Sequence, residues 1–418
     1  MYYGSDELNA IIDNSTSSTL FNRLTLSDGA KVEKLESLKY YGGSNIGSNI
    51  EIGTTVMAYV ECSAFETDKD LTNQEFLLER LANVNGTEEG VPLGYFTIQR
   101  PDGDEDEITF TAYDRMIRFE RPYVSELTYP TDSAQILNEL CAQCEVELAT
   151  SIGTPITIEE NLEGYTCREV LGYIAATHGK FACIDRFGKL NLCWYSDKTI
   201  EKSPKLVYQL SSNQSSYTIE KVEIHKDSEN VFTSGSGSKT LYSTNPFASQ
   251  NVADTVYSVV GGFTYNASEV EMLDDVRLDP WDVISITNNG VTHIIPCMAV
   301  EHDLGACSTE IKSVGLFDEE QEYQAENPTI RQINRLSQTV NSQGQIIRQQ
   351  GTVIDTLNNQ IINKVWQEDV YGAIEDLQVG GNNLLDGSKD LSGNNFFAEY
   401  NLIDNGNQLT LGGYALCM

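Results

Sequence analysis

The sequence predicts a β-rich multidomain protein of the α+β class, with an α/β unit between two β-rich segments and a long helix further along the chain. Runs of β-branched and aromatic residues cover 1–123 and 205–317, whereas helical patterns begin in 131–196. Apolar residues also recur every seven positions from 333 to 361. A chain of 418 residues is long enough for two to four domains.

Composition limits the classes of partner. The formal net charge of −35 argues against a nucleic-acid-binding surface, because Lys and Arg contacts to phosphate supply most of that affinity. The same charge is unfavourable for an anionic membrane. The apolar stretches, such as 294–300, are too short to span a bilayer, and the N-terminus lacks a signal-peptide pattern. Nine cysteines without a repeating framework indicate a reduced, cytosolic origin.

The first 123 residues carry strand patterns. VMAYVE (56–61), LGYFTIQRP (93–101) and EITFTAYDRMIRF (107–119) are rich in β-branched and aromatic residues. The last two segments flank DGDEDE (102–107), which we expect to contain the turn of a long hairpin.

Two helices and a hairpin are predicted next. The first helix, within 131–148, places five residues on one face: Ile136, Leu137, Leu140, Cys141 and Cys144. The second begins at a capping box formed by Thr166 and Glu169 and ends at Gly179. Residues 180–195 then predict a hairpin with Gly188 near its turn.

Residues 205–317 return to strand patterns. Asn289-Gly290 separates two β-rich runs within 281–302, which is the strongest short-range signal for a hairpin. STEIKSVGLF (308–317) predicts a closing strand, and SGSGSK (234–239) predicts a flexible loop.

The heptad segment predicts a coiled coil, because its apolar stripe is too thin to pack on the core of its own chain. The nine seam positions are Ile333, Leu336, Val340, Gln343, Ile347, Gln350, Ile354, Leu357 and Ile361. Half of the second set of seam positions are glutamine, which differs from the leucine pattern of dimers. By analogy we expect a parallel trimer in which the glutamines meet around the axis. Gly344 and Gly351 weaken the isolated helix by about 1 kcal/mol each, so partner chains must hold it.

Four short motifs resemble chemical sites, and each has a simpler interpretation. GSGSKT (235–240) lacks the glycine that a P-loop needs before its lysine, which favours a polar hairpin loop. DGDEDE lacks the glycine and glutamate of a calcium loop, which favours a solvated turn. Cys141 and Cys144 form a single CxxC within a helix, which favours core positions. His178 directly precedes the glycine that ends the second predicted helix, where a favourable interaction with the helix dipole explains the presence of a histidine.

We therefore predict no catalytic residues, no metal site and no cofactor. No metalloprotease motif or nucleophile elbow accompanies the four histidines, which are His178, His225, His293 and His302.

The order of segments resembles the baseplate hub, or tail-associated, proteins of tailed bacteriophages and prophages of Gram-positive hosts. The resemblance covers roughly residues 1–318 and is carried by GYFTIQRP with ITFTAYDRM, by YTCREVLGYIAATHGKFACIDRFGKLNL, and by LDPWDVISITNNGVTHIIPCMAVEHDLG before a coiled coil. NNLLDGSKDLSGNN, near the C-terminus, resembles the entry to a carbohydrate-binding β module.

This resemblance implies a domain scheme. Residues 1–125 and 205–318 would be tail-tube-like β-barrels, with an α/β domain at 126–204. An acidic linker and trimeric coiled coil would occupy 319–366, and a C-terminal β module would begin in 367–418.

The resemblance also implies a function. The chain would be a homotrimeric hub at the tail tip of the virion, made in the bacterial host cytoplasm. It would close the tail tube and open for passage of DNA that it does not bind specifically. Its partners would be distal tail or tail-tube proteins, the tape-measure protein and receptor-binding proteins. The alternatives are a cell-wall hydrolase, for which no catalytic domain is visible, and a tail adhesin that binds a host cell-surface glycan.

Overall fold

The structure is a computed structural model. It describes residues 1–14, 20–44, 50–65, 71–103, 107–213, 215–227 and 229–314, together with the backbone of four short strands between 354 and 411. The chain divides into two compact units, Met1–Gln367 and Glu368–Met418, and we describe each unit by itself.

The N-terminal segment is β-rich, as predicted, but it begins with a helix that the sequence patterns did not indicate. Its elements are α1 (Asp6–Asn14), β1 (Leu20–Leu26), β2 (Lys31–Val32), β3 (Leu35–Gly43), β4 (Tyr59–Phe65), β5 (Glu75–Val84), β6 (Thr87–Gly103), β7 (Glu107–Asp114) and a 3-10 helix (Arg115–Glu120). Strands β6 and β7 pair antiparallel as far as Gly103 and Ile108, which confirms the long hairpin. Its turn, 104–106, lies outside the described residues.

The α/β unit follows the sequence closely. Its elements are β8 (Thr131–Asp132), α2 (Ser133–Cys144), β9 (Thr157–Ile158), α3 (Cys167–Thr177), β10 (Phe181–Ile184), β11 (Leu190–Cys193) and β12 (Thr199–Lys202). The predicted apolar face of α2 is buried, and the Thr166–Glu169 capping box is formed. Gly179 adopts a left-handed conformation (φ 63°) just after α3, as its position predicts.

The third segment contains eleven strands and one helix in its described part. They are β13 (Val207–Ser212), β14 (Tyr217–Thr218), β15 (Lys221–His225), β16 (Val231–Gly235), β17 (Thr240–Thr244), α4 (Gln250–Val260), β18 (Thr264–Tyr265), β19 (Ser268–Leu273), β20 (Val283–Asn288), β21 (Val291–Pro296), β22 (Ala299–Asp303) and β23 (Ser308–Ser313), with a 3-10 helix at Pro204–Leu206. The Asn289-Gly290 hairpin is confirmed, because both residues have positive φ between paired β20 and β21. Helix α4 was missed because valine, which favours strands, supplies much of its buried face.

Strands from both β-rich segments form one sheet. Its order is β13-β19-β23-β22-β3-β4-β7-β6-β5-β1-β2. The two halves meet where β22 pairs antiparallel with β3, from Ala299 opposite Gly43 to Asp303 opposite Lys39. The prediction of closed barrels is therefore wrong for the described residues. Strand β3 takes a partner from the other segment, so the sheet stays open and ends at β13 and β2.

Three hydrophobic clusters support these elements. One lies under the N-terminal strands, and a small one lies among β19 to β23. The largest surrounds α2 and α3 and extends to α4 and to residues from Tyr217 to Tyr265. Much of the segment predicted to belong to the second barrel therefore packs with the α/β unit.

A buried ionic cluster joins these parts. The segment 274–282 supplies four aspartates, Asp274, Asp275, Asp279 and Asp282, each no more than 6% exposed. Arg277 of the same segment is one cationic partner. The other cationic or polar partners come from separate elements: the N-terminal amine, Arg80 of β5, Arg186 of the β10–β11 turn, Lys202 of β12 and His302 of β22. This one connecting segment thus contacts all three parts of the chain.

Two ion pairs in the cluster have close contacts. Arg186 Nε lies 2.6 Å from Asp279 Oδ1, and Arg277 Nε lies 2.7 Å from Asp275 Oδ1. Burial alone would raise the pKa of Asp275, but hydrogen bonds and positive charge from Arg277 and Lys202 outweigh it and hold that pKa well below its ordinary value of 3.8.

The part of the predicted coiled coil that the structure describes is not helical. Ile354–Leu357 (β24) and Gln360–Asn363 (β25) pair as antiparallel strands, so Ile354, Leu357 and Ile361 lie on strands and not on a helix. In a single chain, a thin apolar stripe has no partner helix to pack against. The other six seam residues, Ile333, Leu336, Val340, Gln343, Ile347 and Gln350, lie outside the described residues.

The second unit is described only as a strand pair. Leu402–Asp404 (β26) and Leu409–Leu411 (β27) run antiparallel.

We predict that Asp275→Asn destabilises the protein by about 3–5 kcal/mol, because it leaves Lys202 and Arg277 without a buried counter-charge. The carboxylate contributes its stability above pH 3.8 and loses it as the pH falls toward the lowered native pKa. The variant should therefore lose less stability than the wild type below pH 4. Urea unfolding between pH 2.5 and 7 measures both effects, and equal free energies of unfolding at pH 7 would contradict the prediction.

Candidate functional site

The sheet has one apolar face and one polar face. Along β19, β22, β23 and β4 buried and accessible residues alternate, as in Ser268–Leu273, where Val270 and Met272 are buried and Glu269 and Glu271 are exposed. An antiparallel sheet with one solvated face shows this period of two. The polar face runs across the junction between the two halves of the sheet.

Carboxylates concentrate on this polar face. Glu271 of β19 lies opposite Glu310 of β23, and Glu310 lies opposite Glu301 of β22. Like charges directly opposite one another destabilise a sheet. Neighbouring lysines offset part of this repulsion: Lys312 Nζ lies 2.7 Å from Glu310, and Lys39 Nζ lies 3.3 Å from Glu301.

Three tyrosines continue the same row. Tyr41 lies opposite Glu301, Tyr59 opposite Tyr41, and Tyr113 opposite Tyr59. The rings of Tyr41 and Tyr59 stack with centroids 4.6 Å apart, and those of Tyr59 and Tyr113 lie 6.0 Å apart. Burial and the charges of Glu61 and Glu301 raise the pKa of Tyr41, so its phenol stays protonated.

This row was not predicted from the sequence. Alternating glutamates are readable in SEVEML (268–273), yet a sequence does not state which strands become neighbours. The register across β22 and β3 joins the glutamates to the tyrosines, and it depends on residues about 260 positions apart in the chain.

The P-loop-like segment holds a carboxylate of its own chain. The backbone N–H groups of Ser238 and Lys239 donate to Glu220 Oε2 at 2.9 and 3.2 Å. Lys239 Nζ donates to the Ser216 carbonyl. The hairpin interpretation is wrong, because β16 and β17 both pair with β15 and not with each other. The loop is thus a crossing connection whose amides Glu220 already occupies.

The other sequence motifs are structural where they are described. Cys141 and Cys144 are buried on α2, which confirms them as core residues. Asp102 lies on β6, while Asp104 and Asp106 lie outside the described residues. Within the described part of the chain, no group of three or more His, Cys, Asp or Glu side chains is arranged to hold a metal ion.

His178 is a buried neutral residue. Its Nε2 lies 3.0 Å from Ser133 Oγ, which also accepts the N–H of Ile156. Burial, with the charge of Lys180, lowers the pKa of His178 to about 4, so the helix-dipole interpretation, which needs a charged ring, is wrong. Ser133 is fully buried, and the pair therefore joins α2 to α3 without access for a substrate.

The remaining histidines contact nearby polar groups. His225 lies 3.0 Å from Glu223, His293 lies 2.9 Å from Ser212, and buried His302 lies 3.0 Å from Asp274. The Thr309 hydroxyl also lies 2.8 Å from His302, but it and Asp274 both contact Nδ1 of the ring, and Thr309 donates to Asp274. These three groups are therefore not in the order nucleophile, base and carboxylate that hydrolytic triads require.

Comparison with known proteins gives similarity in structure only. No protein-family model and no curated protein matches the chain. It is similar to a tail protein from Neisseria meningitidis MC58 (TM-score 0.49, 9% identity, covering 70% of this chain and 96% of that one). It is also similar to the 43 kDa tail protein of prophage MuSo2 from Shewanella oneidensis (TM-score 0.46, 13% identity, covering 70% of this chain and 97% of that one). A third similar structure is prophage tail protein gp18 from Listeria monocytogenes EGD-e (TM-score 0.43, 10% identity, covering 78% of this chain and 100% of that one).

All three are tail proteins. That is the class that the sequence resemblance indicates. In the part of the chain that the structure describes, helices are too short or too polar to cross a membrane.

We predict that Glu271→Gln raises the free energy of unfolding by about 0.5 kcal/mol at low salt, because it removes a like-charge contact with Glu310. Glu269→Gln is the matched control on the same strand, since Glu269 lies 3.1 Å from Lys312 and gains nothing from neutralisation. Urea unfolding at low and high salt measures both variants. Equal effects of the two substitutions at low salt would contradict the prediction.

Proposed function

We propose that the chain is a structural subunit of a bacteriophage tail, a trimeric hub at the tail tip that closes the tube and opens for DNA. The observation that carries this proposal is the open eleven-stranded sheet with a polar, acidic face. A wall around an aqueous passage needs such a face on one side and a packed core on the other. The segment order that resembles tail hub proteins supports the same assignment.

The polar face suits a channel that DNA crosses without binding. Its strands β19, β23, β22, β3 and β4 carry seven carboxylates against two lysines: Glu36, Glu61, Glu269, Glu271, Glu301, Asp303 and Glu310 against Lys39 and Lys312. Negative potential repels phosphate, and lysines held in ion pairs offer it little attraction. Strands β19, β23 and β22 keep Glu271, Glu310 and Glu301 in a row despite their repulsion, which suits a selected negative surface.

Trimer formation would complete the passage. The sheet of one chain ends at β13 and β2 in the described residues, so backbone groups at these edges suit contacts with further copies. The seam positions from Ile333 to Gln350 would hold the copies on one axis. Tail-tube, tape-measure and receptor-binding proteins are the partners that this position in a virion implies.

A glycan-binding adhesin is compatible with the hub, and it would use residues 367–418. We propose no catalytic role, because the buried Ser133–His178 pair and the occupied P-loop-like segment serve the fold.

Light scattering after size-exclusion chromatography tests the trimer. We expect the full chain to have three times its mass of 46.4 kDa. Ile347→Asp, at a seam position, should give monomers, since a buried charge opposes the seam. Gln345→Asp, two residues away on the outward side of the heptad, should remain trimeric. A monomeric wild type would refute the hub.

An image of the assembled particle tests the channel. We expect Glu271, Glu301 and Glu310 to face the lumen of the tail tip. A neutral or basic lumen would refute the channel assignment even if the chain is trimeric.

A further inference from the structure

Two cysteines of the α/β unit are in sulfur contact. All eight cysteines in the described residues are free thiols. Cys183 of β10 and Cys193 of β11 have their Sγ atoms 3.8 Å apart. Phe181 lies opposite Cys193 and Cys183 opposite Asn191, so the two cysteines are diagonal neighbours on the same face of the hairpin.

This pair differs from the other thiols in access. Cys193 is partly exposed, whereas the other described cysteines are buried. Cys144 and Cys167 also contact each other through a hydrogen bond, but both are fully buried between α2 and α3. A soluble oxidant can therefore reach Cys193 and has no path to the second pair in the folded protein.

We propose that Cys183 and Cys193 are a redox site that forms a reversible disulfide. The oxidant is a small-molecule disulfide. The Cys193 thiolate attacks one of its sulfurs and releases one small thiol, which leaves a mixed disulfide. Cys183 then loses its proton and attacks the Cys193 sulfur, which releases the second small thiol. Two protein thiols are oxidised and one small-molecule disulfide is reduced.

The second step sets the rate. In the free pair the hydrogen bond to Cys193 and burial raise the pKa of Cys183, and burial still raises it in the mixed disulfide. Little of Cys183 is therefore thiolate at neutral pH, and the rate should rise with pH. A disulfide also needs the sulfurs to approach to about 2 Å, which requires a small movement of the two strands.

The disulfide would stabilise the contact between the β10–β11 turn and the segment 274–282. The turn between Cys183 and Cys193 carries Arg186, whose guanidinium donates to Asp279 and to the Leu278 carbonyl. A disulfide between Cys183 and Cys193 reduces the conformational freedom of this turn in the unfolded chain and holds the turn in place in the folded protein. A protein made in a reducing cytoplasm and released in a virion, as the proposed function implies, would thus become more stable outside the cell. The chemistry itself does not depend on that function.

The experiment treats the folded full-length protein with oxidised glutathione at pH 7 and pH 8.5, blocks free thiols with an alkylating agent and digests without reduction. Trypsin cleaves after Lys180, Arg186, Lys189 and Lys198, so FACIDR (181–186) and LNLCWYSDK (190–198) separate unless a disulfide joins them. We expect a loss of about 2 Da from the intact protein, a joined peptide pair, faster reaction at pH 8.5 and full reversal by a reductant.

Variants and thermal unfolding supply the controls. Cys193→Ser and Cys183→Ser should abolish the 2 Da loss, while Cys144→Ala, which breaks the other sulfur pair, should retain it. Oxidation should raise the Tm of the wild type by several degrees and leave Cys193→Ser unchanged. A lasting glutathione adduct on Cys193, a bond between Cys144 and Cys167, or no reaction of the wild type would each overturn the proposal. None of these results bears on whether the chain forms a trimeric hub.

Discussion

The arrangement of the three parts depends on the buried ionic cluster at 274–282. Buried carboxylates are strongly unfavourable unless cations and hydrogen bonds compensate them, and a cation from the wrong position cannot do so. Arg80 comes from the N-terminal sheet, Arg186 from the hairpin of the α/β unit and Lys202 from the strand that leads out of it. Apolar surfaces tolerate sliding, whereas these pairs have one satisfactory geometry. The cluster thus fixes relative position, which hydrophobic burial alone specifies less sharply.

Because the cluster fixes how the parts of the chain are placed, strands of the N-terminal segment and of the third segment form one sheet. When β22 pairs with β3, the polar residues of both halves lie on the same face, and a row from Glu271 to Tyr113 crosses six strands. The opposite face packs on the cores beneath the sheet. The polar surface and the packed core therefore lie on different faces of the sheet, so carboxylates can accumulate on one face without disturbing the packing of the other. The repulsion between adjacent glutamates still lowers the stability of the sheet.

Several groups that resemble chemical sites are occupied by the chain itself. Glu220 accepts the amides of the P-loop-like segment, and Ser133 contacts His178 between two helices. In each case the polar groups satisfy one another within the fold, as buried or strained backbone requires. The Cys183–Cys193 contact is different, because Cys193 is partly exposed and both thiols are free.

The sequence by itself determined the features that depend on near neighbours. The capped helices of the α/β unit, the Asn289-Gly290 hairpin and the buried face of α2 follow from caps, turn residues and periodicity, which act within a few positions. Helix α4 was not predicted because its valines favour strands when considered locally. Packing in the largest core overrides that preference. Only the tertiary structure decided that the sheet stays open, that Glu301 lies beside Tyr41 and that Arg186 meets Asp279. These contacts join residues far apart in the chain, and their partners are selected by the combined burial and charge of the whole molecule.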